Sequence, residues 1–258
     1  MWEEICKIVA RIVELFYMPV HDWGMAIILL TIVFRLLIMP LMLSQTKSSF
    51  QMQKVQPRLK EIQSRFSNDP VRMQEETQKL YADAKFNPLA GCVPMLIQMP
   101  IFIALFQVLR NIQNYLPEYD HFAFYNIVPN LLSTPAEVMG EGIVPFIPYA
   151  VLIVVFVGAT FLPMLLQQKN NQDSQQRNQM IVMSIIMSVM MLFVSWSSPA
   201  GVLLFWGVSG IIATITQQIY MRHLRRKDEL VAAEQIEVAP VKVEVERKVK
   251  KKRPTKKK

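Results

Sequence analysis

Apolar positions fall into five long runs separated by polar, charged segments: residues 24–43, 92–108, 143–166, 180–196 and 201–220. At about 1.5 Å per helical residue, runs of about twenty residues match a hydrocarbon core about 30 Å thick. The pattern predicts five transmembrane helices. Pro94, Pro100, Pro145, Pro148 and Pro163 fall inside the second and third runs. A span tolerates them where neighbouring helices or water satisfy the freed carbonyls.

The polar segments carry patterns of their own. Residues 2–16 place Trp2, Ile5, Val9, Ile12 and Phe16 at helical spacing with charges opposite, an amphipathic helix predicted to lie on the membrane surface. Pro19, His21, Asp22 and Trp23 then form a turn and an interfacial anchor. Residues 44–90 hold eight Lys or Arg against five acids and no membrane-length run. Apolar spacing at Met52, Val55, Leu59, Ile62 and Phe66, followed by Asp69-Pro70 as a helix start, predicts a helical hairpin over 45–88, kinked at Pro57.

Charge then sets the orientation. Residues 111–142 contain Glu118, Asp120, Glu137 and Glu141 but no Lys or Arg. The positive-inside rule places the hairpin in the cytoplasm, the acidic loop and amino terminus outside, and the carboxyl terminus inside. The domains expected are an extracytoplasmic helix at 1–22, a five-helix core at 23–220 and a basic cytoplasmic tail at 221–258. That tail carries fourteen Lys or Arg against six acids and ends KKKRPTKKK. Such a charge excess exceeds what topology needs, so the expected partner is an anionic surface, either lipid or RNA, not DNA.

Composition agrees with an all-α polytopic membrane protein: 258 residues, 52% hydrophobic, mean hydropathy +0.25 and net charge +8. Cys6 and Cys92 fall on opposite sides of the bilayer in this topology, which excludes a disulfide between them. His21, His121 and His223 lie outside the runs and widely apart. No metal motif or catalytic triad is visible, so neither a metal, a cofactor nor an enzymatic reaction is expected.

One charge interrupts the first run. Arg35 lies eleven residues past Gly24, roughly 16 Å along a helix and near mid-membrane, where insertion scales charge about 2.5–3.5 kcal/mol for arginine. Snorkelling from that depth is a long reach, and the other four runs contain no Asp or Glu to pair with it. A water-filled cavity between helices is the expected surrounding. Met180, Met183, Met187, Met190 and Met191 form a stripe in the fourth run, which serves either as packing filler or as an adaptable apolar face for partner helices. Gln98 and Gln107 either join helices by hydrogen bonds or hydrate Arg35. Phe205 and Trp206 read as packing or as a binding surface, Trp206 being too deep for an interfacial belt.

The stretches GMAIILLTIVFRLLIMPLMLSQTKSSFQMQKVQPRLKEIQ, NPLAGCVPMLIQMPIFIALFQVL and PAGVLLFWGVSGIIATITQQ resemble the YidC family of membrane protein insertases over about 23–220. The resemblance implies a hydrophilic groove, open to cytoplasm and lipid, that contains Arg35, with Phe205 and Trp206 as an aromatic pair holding nascent chains. Gln98 and Met187 complete the expected substrate groove. It further implies nascent membrane proteins as clients, work alone or beside a Sec translocon, and a bacterial cell membrane location. Without a large extracytoplasmic domain or an early lipid-attachment cysteine, the chain looks like the family's short form. A small transporter or channel around Arg35 would need a second polar ring or a repeat, and an intramembrane hydrolase would need acids or a nucleophile and base in the spans. Neither pattern is present.

Overall fold

The computed structural model describes residues 2–84, 93–168 and 174–238. Cys92, Lys169 and the KKKRPTKKK end of the tail lie outside the described residues. The chain forms two compact units, 1–221 and 222–258. The helices are α1 (Trp2–Val20), α2 (Trp23–Arg65), α3 (Pro70–Asp83), α4 (Val93–Arg110), α5 (Ile112–Tyr115), α6 (Pro135–Glu141), α7 (Ile143–Gln168), α8 (Ser174–Trp196) and α9 (Ala200–Val238). By length and composition α2, α7 and α9 can each cross a membrane, while α4 and α8 contribute shorter apolar stretches at Gln98–Arg110 and Ile181–Trp196.

The amphipathic segment does form a helix, but it is more than a surface float. Cys6, Ala10 and Val13, spaced at four and three residues, are buried where α1 packs on α2 and α4. Ile5, Ile8, Ile12 and Leu15 stay exposed on another face. Trp2 Nε1 donates to Gln107 Oε1 of α4 at 2.5 Å. Near the other end of α1, the largely buried Glu14 accepts from Arg11 at 2.6 Å and from the Tyr119 hydroxyl at 3.2 Å. Burial first, then the Glu14 carboxylate, raises the Tyr119 pKa.

Two expectations about the entry to α2 need correction. Pro19 lies inside α1, which ends at Val20, and Trp23 is not an interfacial anchor. It is only 3% exposed, stacked on Tyr17 at 4.2 Å and met edge-on by Tyr119 at 5.0 Å. Asp22 caps α2, its Oδ1 accepting from the Met25 N–H at 2.7 Å while its Oδ2 accepts from the Tyr125 N–H.

The hairpin is also built differently from two separate arms. Its first arm is the continuation of the first span, a single helix of 43 residues that contains both Pro40 and Pro57. Asp69 caps the second arm as the sequence indicated, accepting from the Arg72 N–H at 3.1 Å. That arm buries none of its residues. The basic segment after Met221 likewise begins as helix, α9 running on to Val238.

Packing is concentrated at the end where α2, α7 and α9 begin. There the loop between α5 and α6 is held by backbone bonds: Gly24 N–H donates to Ala123 O at 3.3 Å, Ala200 N–H to Ser133 O at 3.0 Å and Gly201 N–H to Leu131 O at 2.8 Å. The loop carbonyls thus satisfy helix-start amides that have no partner within their own helix. The Tyr149 hydroxyl adds a bond to Asn130 O at 2.7 Å. Leu116, Phe122, Val128 and Leu131 of this loop join the core with Ile27, Leu105, Val108 and Phe205. Past Thr31 on α2 and Ser209 on α9, buried residues become sparse among those described.

Small residues let α9 approach α7 closely. A Cβ at Gly210 would lie 2.8 Å from Ala159 Cβ and 3.3 Å from Ala159 O, too near for unshifted backbones. Gly210→Val is expected to lower stability by about 1–3 kcal/mol through overpacking. Thermal unfolding in detergent checks this, with Ala159→Gly restoring part of the loss. The thinly packed α3 is expected to exchange its amides faster than α7 or α9. Hydrogen exchange showing equal protection would make the hairpin a rigid cap.

Candidate functional site: the Arg35 cleft

Arg35 sits one turn beyond the buried Thr31 on α2, where the bundle begins to open. Its Nε donates to Ser209 Oγ of α9 at 2.6 Å, and Nη1 lies 3.9 Å from Met42 Sδ. Both partners are neutral. Among the described residues no carboxylate pairs with it, so the positive charge stays uncompensated. The hydroxyl orients the guanidinium and satisfies one of its five N–H groups, leaving others for water or an anionic guest.

A small cleft of about 20 Å³, room for roughly one water, opens beside it. From α2 it is lined by Arg35, Met39, Met42 and Thr46, spaced at four, three and four residues, and from α9 by Ile212, Ala213, Thr216 and Gln217. Helical spacing explains why these positions meet on one strip. The strip runs from Arg35 toward the hairpin end, with apolar Met, Ile and Ala alternating with hydroxyl and amide groups. On the other side of Arg35, Phe34 packs against Phe205 with ring centroids 6.5 Å apart.

The remaining residues singled out in the sequence take other places. Phe205 is 1% exposed and belongs to the packed core. Its neighbour Trp206 is half-buried, edge-on to Phe102 at 5.1 Å and 5.8 Å from Phe156. The two rings therefore diverge rather than forming one face. Gln98 is half-buried on α4, and its Nε2 has no hydrogen-bond partner among the described residues. Met187 is half-buried on α8, while Met183 and Met190 are exposed and Met191 packs on the core. None of these four lines the cleft. Ser209, Thr46, Thr216 and Gln217 do shape it and were missed, although Ser209, Ala213 and Thr216 repeat at helical spacing inside an apolar run. Among the described residues no three His, Cys, Asp or Glu side chains cluster as a metal would require.

Long apolar helices and a mid-span arginine beside an open cleft define an all-helical, multi-pass membrane protein. The chain belongs to the 60Kd inner membrane protein family, whose model matches residues 15–228. It is 35% identical over 223 residues to the membrane protein insertase YidC of Actinobacillus succinogenes, covering 86% of this chain and 38% of that protein. The corresponding protein of Treponema denticola is 29% identical over 229 residues, again 85% of this chain and 38% of the relative. The chain thus spans well under half the length of these curated relatives. A crystal structure of an active YidC insertase with its first transmembrane domain resolved matches with a TM-score of 0.62 and 27% identity, over 83% of this chain and 46% of that one.

Thiol labelling reads whether water reaches this cleft. With Cys6 and Cys92 replaced by Ser, Gln217→Cys is expected to react readily with a water-soluble maleimide, and Ile27→Cys in the packed end to resist it. Equal, slow labelling at both positions would mean a dry cleft.

Proposed function

We propose that this chain is a non-enzymatic membrane protein insertase in a bacterial cell membrane. The observation that carries the reading is Arg35, a mid-span cation with neutral partners only, beside a partly polar cleft. A hydrophilic client segment enters this cleft from the hairpin side, shortens its path through hydrocarbon there, and its apolar segment leaves sideways into lipid. Arg35 attracts acids of the translocated tail. A charge pair at 4 Å is worth about 1 kcal/mol in water and about 4 at an effective dielectric of 20, a range that assists entry yet permits release.

In this proposal all five apolar helices span the bilayer, with the acidic loop outside and the hairpin and tail in the cytoplasm, following the positive-inside rule. The hairpin docks or covers arriving chains. Trp206 and Met187 offer apolar contact to the client segment and Gln98 a polar one, while the buried Phe205 holds Phe34 beside the arginine. The protein acts alone or beside a Sec translocon, and the basic tail holds a ribosome or anionic lipid.

Arg35→Ala is expected to abolish or sharply reduce insertion of clients with acidic tails in reconstituted vesicles. Arg35→Lys should keep much of it, since a positive charge rather than a bidentate fork is required. An alanine variant working at the wild-type rate would sink the mechanism. For the tail, ribosome co-sedimentation should fall steeply from about 50 to 300 mM salt, and it should largely vanish without residues 226–258. Equal binding by both forms would assign the tail to lipid or topology.

A further inference from the structure

We propose that the α1 end of the bundle carries a second anion site, built around Arg110, that receives acidic residues of a client segment after it has crossed. The client part of this proposal rests on the insertase reading above. At this end the described ammonium and guanidinium groups are those of Lys7, Arg11 and Arg110. Lys7 lies 2.9 Å from Glu4 and 3.6 Å from Glu3, and Arg11 lies 2.6 Å from Glu14 and 3.3 Å from Glu118. Hydrogen bonds with these carboxylates raise the pKa of both groups. Among the three, only Arg110 has no carboxylate at ion-pair distance. Its exposed guanidinium rests 5.7 Å from the Phe106 ring, which positions the group without neutralising it.

Arg110 opens onto a broad depression of about 470 Å³, shared with Gln113, Asn114, Thr134, Glu137 and Ser197. The one acid there is already engaged. Glu137 Oε2 accepts from the Thr134 N–H at 2.8 Å, and the Glu137 N–H donates to Thr134 Oγ1 at 3.3 Å, forming the cap of α6. The amides of Gln113 and Asn114 can both donate and accept, which suits the alternating groups of an extended peptide backbone. Residues 111–142 otherwise carry Glu118, Asp120 and Glu141 and no Lys or Arg. An acidic segment arriving at this end is therefore repelled by most of the loop and attracted at one point. The chemistry assigned is a peptide carboxylate, held by Arg110 beside the amides of Gln113 and Asn114, with the capped but still anionic Glu137 sharing the depression.

The test separates this site from Arg35 by using full-length protein carrying Arg35→Gln in neutral detergent. A short fluorescent peptide rich in Asp is titrated beside its Asn counterpart. The Asp peptide is expected to bind about three- to fivefold more tightly, the range of a solvent-exposed charge pair. Arg110→Gln should remove this preference and Arg110→Lys should keep most of it. In vesicles with wild-type Arg35, a photocrosslinker at Asn114 should capture acidic client tails better than neutral ones. An Asp preference unchanged by Arg110→Gln overturns the site, and a preference that appears only when phosphatidylglycerol is added assigns it to a lipid headgroup instead. If the wild-type protein inserts no client while the peptide preference holds, the insertase reading fails and the anion site stands.

Discussion

An arginine inside an apolar helix, with no carboxylate partner among the described residues, is the constraint on which the rest of this structure depends. Dry burial of that charge is prohibitive, and even insertion scales that allow relaxation charge about 2.5–3.5 kcal/mol. The chain answers with a bundle packed at one end only. Trp23, Ile27, Leu105, Val108, Tyr149 and Leu203 form a closed core where α2, α7 and α9 begin. Beyond Thr31 and Ser209 the described helices bury little. Tight packing at one end carries the stability that the open end forgoes.

The loop between α5 and α6 makes that division possible. Its carbonyls accept from the first amides of α2 and α9, and Leu116, Phe122, Val128 and Leu131 fill the space between the helix ends. Asp22 ties the same loop to the start of α2 through the Tyr125 amide. The close approach of α9 to α7 at Gly207 and Gly210 secures the arrangement from the side.

Much of this was legible in the sequence because it rests on local signals. Apolar runs marked the long helices, Arg35 stood out by its cost, and Asp69-Pro70 announced the start of α3. What stayed hidden depends on tertiary contact. Pro57 suggested a kink between separate segments, yet the first span and the first hairpin arm are one helix that includes Pro40 and Pro57, since water or neighbouring groups can serve the carbonyls that a proline leaves free. Trp23 looked like a membrane-interface residue because nothing local reveals that Tyr17, Tyr119 and Phe122 surround it. The packed loop has no periodicity to read. Phe205 and Trp206 are adjacent in sequence, but neighbouring residues on a helix point about 100° apart, so one enters the core and the other meets Phe102.

The central claim is that Arg35 acts on client carboxylates through its charge. A charge-exchange cycle in reconstituted vesicles tests it most directly: wild-type protein and Arg35→Asp, each with a client whose translocated tail carries either Asp or Lys at one position. The account predicts that each exchange alone slows insertion and that the doubly exchanged pair recovers, with a coupling of about 1–4 kcal/mol for an attraction in a partly hydrated cleft. Strictly additive losses, with no recovery in the exchanged pair, would contradict it.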